Sequence, residues 1–136
     1  MPEQHPRITV VNDNPEFLEL MHELLEEGSG YDVVTIDGDR LSDLEPIRES
    51  RPQMLIIDLR WRQDGLAGWD VLLAVRADRE LGELPVILCT GDLAGLEEHA
   101  EEITRDPKVE TLAKPFQVAE LEALVQQFVG AAVPPA

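Results

Sequence analysis

Apolar residues recur along this chain in two alternating rhythms. Residues 8–11 form a short run rich in β-branched side chains and predict a strand, which ends at Asn12-Asp13-Asn14-Pro15. Asn14 ahead of Pro15 is a helix start, a side-chain cap followed by proline at the first helical position. Phe17, Leu18, Met21, Leu24 and Leu25 then repeat at helical spacing until Gly28 closes the segment. Residues 31–36 predict a second strand, stopped by Asp37-Gly38. Leu41, Leu44 and Ile47 make a weaker helical stripe, which Pro46 keeps short. Residues 54–57 predict a third strand, and Trp69, Leu72 and Val75 mark a helix beginning near Gly68. Residues 85–88 predict a fourth strand that runs on into Cys89-Thr90-Gly91. A weak helix covers 96–105, with Leu96, Ala100 and Ile103 as its apolar face. Residues 109–113 predict a fifth strand ending at Lys114-Pro115, and Val118, Leu121, Leu124, Val125 and Phe128 carry the last helix.

Five strands alternating with five helical segments predict a doubly wound α/β fold with a parallel sheet and helices on both faces, because parallel strands need crossover connections. The length of 136 residues suits one domain. No apolar run approaches the roughly 20 residues that span a bilayer, so no membrane partner is expected. The segment MPEQHPR lacks the apolar region of a secretory signal, and Cys89, the one cysteine, cannot form an internal disulfide. A cytoplasmic location is the expectation. A net charge of −17 and a pI near 4.3 argue against direct nucleic-acid binding, since phosphate backbones are repelled. The same charge suits a cation or a basic partner face.

In such a sheet all strands point one way, and ligands collect at their carboxyl ends. Strand one delivers Asn12 and Asp13 to that edge, strand three Asp58, strand four Thr90 and Gly91, and strand five Lys114. Carboxylates brought together repel unless a proton or cation intervenes. Two acids with carbonyl and water oxygens suit Mg²⁺, and a lysine beside them can hold a phosphate as a point charge. Aspartate also serves as a covalent phosphoryl acceptor. The set reads as a phosphoaspartate site.

The motifs VVND, LIIDL, VILCTG and LAKPF, in that order, give the chain its resemblance to the response-regulator receiver domains of two-component signalling. The resemblance covers residues 7–129, leaving an N-terminal arm (1–6) and a loose tail (130–136). It implies a flavodoxin-like, CheY-like sheet of order 2-1-3-4-5. It also implies that Asp58 is the phosphoacceptor and that Asp13, Asp58 and the Arg60 backbone carbonyl hold Mg²⁺. Asn12 would act on the metal through water. Thr90 and the Gly91 amide would bind the phosphoryl oxygens with Lys114, and the Lys114-Pro115 peptide is expected to be cis. A sensor histidine kinase or histidine phosphotransfer protein would supply the phosphoryl group. With no output domain after residue 129, the signal would leave through a downstream protein partner in a phosphorelay. A homodimer is compatible with the family, and no turnover of a separate substrate is expected.

The chain departs from the family pattern at several positions. Asn12 stands where a second acid is usual, which predicts weaker Mg²⁺ affinity. Arg62 replaces a proline, and Gly68 lies two positions later than the usual glycine, so Asp64-Gly65 reads as an added turn. Arg60 and Asp92 border the pocket with opposite charges and predict an ion pair that slows water attack. Trp61 either packs or covers the site. At the output-switch position Thr111 replaces the usual aromatic. Trp69 is expected in the core, Cys89 as an apolar filler, and His5, His22 and His99 as surface residues. These departures motivate an alternative function, a phosphorylation-independent pseudo-receiver that binds protein. A haloacid-dehalogenase-type phosphatase fits poorly because Arg60 replaces its second acid. A flavodoxin fits poorly because NDNPEF is not a phosphate loop.

Overall fold

A computed structural model describes residues 5–59 and 68–130. The strands are β1 (Arg7–Asn12), β2 (Asp32–Asp37), β3 (Met54–Ile57), β4 (Val86–Thr90) and β5 (Val109–Ala113). They form one parallel sheet in the order β2-β1-β3-β4-β5. The helices are α1 (Pro15–His22), α2 (Glu45–Ser50), α3 (Gly68–Ala77), α4 (Leu93–Glu98), α5 (Ala100–Arg105) and α6 (Val118–Val129). This is the flavodoxin-like arrangement.

The β3 strand shows why the sheet is covered on both sides. All four of its residues are buried, with no alternation of polar side chains. Met54 and Ile56 face a cluster with Met21, Leu25, Leu121 and Val125, from α1, its extension and α6. Leu55 and Ile57 face a second cluster with Ile47, Val71 and Val75, from α2 and α3. Continuous apolar runs of this kind are the mark of a parallel strand with helices above and below.

Asn14 begins α1 as its sequence suggests, its side chain accepting from Glu16 N at 2.9 Å and Phe17 N at 3.4 Å. Beyond His22 the helix widens into a π-helical turn, Glu23–Gly28, which the periodicity did not reveal. Pro46 sits in the first turn of α2 and fixes its start, and the left-handed backbone of Arg51 ends the helix after six residues. The last helix starts with a capping box, in which Gln117 and Glu120 exchange side-chain and backbone hydrogen bonds.

The single weak helix expected over 96–105 is instead two, so six α-helices are present among the described residues. The break is His99, whose backbone leaves the helical region at φ −103° and ψ 14°. Its imidazole stacks on Trp69 with ring centroids 3.8 Å apart and planes within 14°. His99 is therefore a half-buried bridge between α3 and the α4–α5 break, correcting its expected place on the open surface. Trp69 packs at the edge of the core and is half-buried.

Arg76, on α3, ties the opposite end of the sheet. Its guanidinium donates to Asp106, to Leu84 O at 2.7 Å and to Lys108 O at 3.3 Å. Burial pushes the Asp106 carboxyl up, but the hydrogen bonds from Arg76 and the Lys108 amide outweigh it and leave the pKa below 3.8. A depressed carboxylate contributes stability that is present above its unfolded pKa and is lost as pH falls through the folded value. Arg76→Met is expected to lower the unfolding free energy by about 1.5–3 kcal/mol at neutral pH. Urea denaturation across a pH series should show that deficit shrinking below pH 3.8, and a pH-independent deficit would contradict this account.

Candidate functional site

The carboxyl ends of β1, β3 and β5 meet around a cavity of about 490 Å³, lined by Asn12, Asp13, Glu16, Asp58 and Lys114 among others. Asp58 follows the last residue of β3, and Lys114 follows the last residue of β5, with β4 between the two strands. The lysine reaches across that gap. Its Nζ donates to Asp58 Oδ2 at 2.9 Å, with the two side chains 28% and 14% exposed. That partial burial matters, because a pair this sheltered is screened less than one on the open surface. The Lys114 amide donates to Thr90 O at 2.9 Å, and the Lys114-Pro115 peptide is cis. Asp13, Asp58 and Lys114 are therefore gathered as the sequence suggests.

Thr90 is buried, and its Oγ1 accepts from Asp92 N at 3.1 Å. Asp92 in turn caps α4, with Oδ1 accepting from Gly95 N at 2.9 Å. The threonine hydroxyl is thus joined to the start of a helix. A hydroxyl that accepts one hydrogen bond keeps its own proton for donation. Gly91 is exposed, and a Cβ there would meet nothing closer than Lys114 Cβ at 3.9 Å. Steric crowding does not demand glycine at this position. Thr111 is exposed on β5, opposite Leu88 of β4. Cys89 is fully buried, and burial pushes its thiol up to about 12. It is a protonated apolar filler at neutral pH, as expected.

Asn12 is also buried. Its Oδ1 accepts from Asn14 N at 2.9 Å, so the amide oxygen is committed to the backbone. Its Nδ2 has no hydrogen-bond partner among the described residues. This orientation sharpens the expectation for Asn12. A metal-bound water offers protons, and an NH₂ group has none of the acceptor capacity such a water seeks. The two carboxylates nevertheless fit a hard cation. Among the described residues no group of three or more His, Cys, Asp or Glu side chains is placed to hold a metal. Two acids supplemented by carbonyls and water is a donor set for Mg²⁺, and one poor in ligands for zinc.

Arg60, Trp61, Arg62, Asp64 and Gly65 lie outside the described residues, and with them the expected Arg60–Asp92 pair, the Arg60 carbonyl ligand and the added turn. Gly68 is described, and it is tightly constrained. A Cβ at that position would stand 1.6 Å from the backbone oxygen of Asp58, while Trp69 N donates to Leu59 O at 3.2 Å. The first turn of α3 is seated directly on the backbone that carries Asp58. Gly95 on α4 meets side chains instead, where a Cβ would lie 2.5 Å from Asp92 Oδ2 and 2.6 Å from Leu59 Cδ2.

The strand-end motifs do not include Phe17. Its ring lies beneath the lysine, with Lys114 Nζ 4.2 Å from the ring centroid. An aromatic in the first turn after NDNP is the available sequence signal, although its spacing also places it on the apolar face of the helix.

The parallel sheet thus gathers acids that follow β1 and β3 and a lysine that follows β5 at one edge. The family model for the response regulator receiver domain matches residues 8–126, and the chain belongs to that family. The DNA-binding response regulator MtrA of Mycolicibacterium smegmatis is 32% identical over 126 residues, covering 88% of this chain and 49% of MtrA. The chain spans about half the length of the curated relatives it matches. A response regulator receiver protein from Pseudomonas putida superposes with a TM-score of 0.76 at 28% identity, covering 93% of this chain and 99% of that one. The receiver domain of the sensor histidine kinase PA1611 from Pseudomonas aeruginosa, solved with magnesium in its active-site cleft, shares the fold. Its TM-score is 0.71 at 24% identity, over 94% of this chain and all of that one. No helix among the described residues is long and apolar enough to cross a membrane.

Gly68→Ala is expected to cost about 1–3 kcal/mol, because the added methyl must displace the Asp58 backbone or tilt α3. Thermal denaturation would measure the loss, and the Asp58 carboxyl ¹³C resonance should shift with it. A variant with the stability and resonance of the wild type would contradict the close approach.

Proposed function

We propose that this receiver domain accepts a phosphoryl group on Asp58. The observation that carries the reading is the 2.9 Å contact between Lys114 Nζ and Asp58 Oδ2 in a cavity that also holds Asp13. An Asp58 oxygen bonds to phosphorus as the P–N bond of a phosphohistidine breaks, and the imidazole nitrogen leaves with the electron pair. Lys114 then has a phosphoryl oxygen to pair with as negative charge shifts off the carboxylate. Thr90 accepts from Asp92 and so has its proton available for a second phosphoryl oxygen. The Gly91 amide is the candidate donor to the same group. Asp13 and Asp58, with the Arg60 carbonyl, would hold Mg²⁺, which when bound supplies positive charge to the transferring phosphoryl group.

The donor would be a sensor histidine kinase or a histidine phosphotransfer protein. The domain acts as a phosphoacceptor in its own modification and not as an enzyme with a separate substrate. With a net charge of −17, it would act through protein contacts in the cytoplasm, not by touching DNA itself. DNA binding, as in the name of its relative MtrA, would require a further domain.

Incubation with acetyl phosphate and Mg²⁺, followed by intact mass measurement, tests the reading. The expected result is a gain of one phosphoryl group that is absent in Asp58→Asn. No gain in the wild type would favour the phosphorylation-independent binding module that Asn12 suggests. Asn12→Asp replaces an NH₂ group with an acceptor and a charge, and should tighten Mg²⁺ binding by ~10-fold, about 1.4 kcal/mol. Calorimetric titration giving equal affinities would remove Asn12 from the account of the metal site.

A further inference from the structure

We propose that Phe17 is a positioning residue, an aromatic platform that holds the Lys114 ammonium within reach of the group transferred to Asp58. The inference rests on the phosphoacceptor reading above and adds to it a residue on α1. Lys114 Nζ has two negative neighbours: Asp58 Oδ2 at 2.9 Å and the face of the Phe17 ring, 4.2 Å to its centroid. Aromatic faces carry negative electrostatic potential and attract ammonium groups at this range.

The ring's own position is set by the same edge of the sheet. Asn12 Oδ1 accepts from Asn14 N, and Asn14 Oδ1 accepts from Phe17 N. Phe17 also packs against the cluster that contains Met21 and Leu121. The chain of contacts therefore runs from the end of β1, through the helix cap, to the ring and then to the lysine of β5. A lysine side chain left alone samples many rotamers. Two simultaneous partners remove much of that freedom before any donor arrives.

The ring matters most during transfer. As phosphorus bonds to Asp58, the oxygen that held the ammonium loses its charge, and the lysine must shift to a phosphoryl oxygen. A hydrogen bond is directional and is broken by that shift. The ring face is not, so the ammonium can slide across it without release. A leucine of similar bulk fills the space but offers no such surface.

Phe17→Leu, Phe17→Met and Phe17→Tyr distinguish these roles. Thermal denaturation first establishes which variants are folded, and near-conservative apolar swaps are expected to be. With acetyl phosphate, Leu and Met should lower the saturating phosphorylation rate between ~2- and ~30-fold, the range of a cation–π contact. Half-saturating acetyl phosphate should stay unchanged, and Tyr should restore the wild-type rate. The Lys114 ammonium signal in ¹H–¹⁵N spectra, recorded without any phosphodonor, should broaden in Leu and Met and persist in Tyr. A wild-type rate and signal in folded Phe17→Leu or Phe17→Met would overturn the proposal. So would a Tyr variant as impaired as Leu. If wild type takes no phosphoryl group, the phosphoacceptor reading fails. The ammonium spectra then still decide whether the ring orders the lysine.

Discussion

Everything at the working end of this molecule depends on one positive charge held among negative ones. Parallel strands deliver their ends to the same edge, and here those ends carry Asp13 and Asp58, with Glu16 beside them on α1. In a chain of net charge −17, such a concentration of acids is unfavourable unless a cation is close. Lys114 is the one basic side chain lining that cavity among the described residues, and it spans β4 to reach Asp58. The pair is neither fully exposed, where it would contribute little, nor fully buried, where desolvation would cancel its attraction. It is sheltered enough to be ordered and open enough to be rearranged.

The backbone around the pair is built to resist movement. Gly68 brings α3 onto the Asp58 backbone at a separation no side chain could share, and Gly95 lets α4 lie against the Leu59 side chain. The Thr90 hydroxyl is linked through Asp92 to the first turn of α4. His99 stacks on Trp69 and joins α3 to the break between α4 and α5. A hydroxyl at the sheet edge and a stacked pair on the flank are therefore connected through one short helix. Packed elements of this kind move as units when they move at all.

The parts of the fold that depend on local pattern were legible in the sequence. β3 occupies the residues its apolar run suggested, because a doubly covered strand leaves no polar position to blur its ends. β5 keeps its expected bounds although it mixes buried and exposed residues at the sheet edge. Asn14 capped α1 because Asn-Pro encodes both a side-chain acceptor and a preset backbone angle. The split at His99 was not legible, since the stacking partner that stabilises it lies on another helix. The π-helical turn after His22 left the apolar spacing nearly unchanged. Of the site, the acids and the lysine could be read because strand ends and fold order place them. Phe17 could not, because its contact joins α1 to β5, and only the assembled edge brings a ring under that ammonium.

The seat that Gly68 makes on the backbone of Asp58 has a consequence for how such a domain can change over time. It fixes the far end of the 59–68 connection to the same residue from which the connection departs. Residues added or removed between those two anchors change the closure entropy of the connection only slowly with its length. They leave the Asp58 backbone pinned to the first turn of α3. A lineage can therefore vary the length of this connection while the strand end that carries Asp58 is inherited intact.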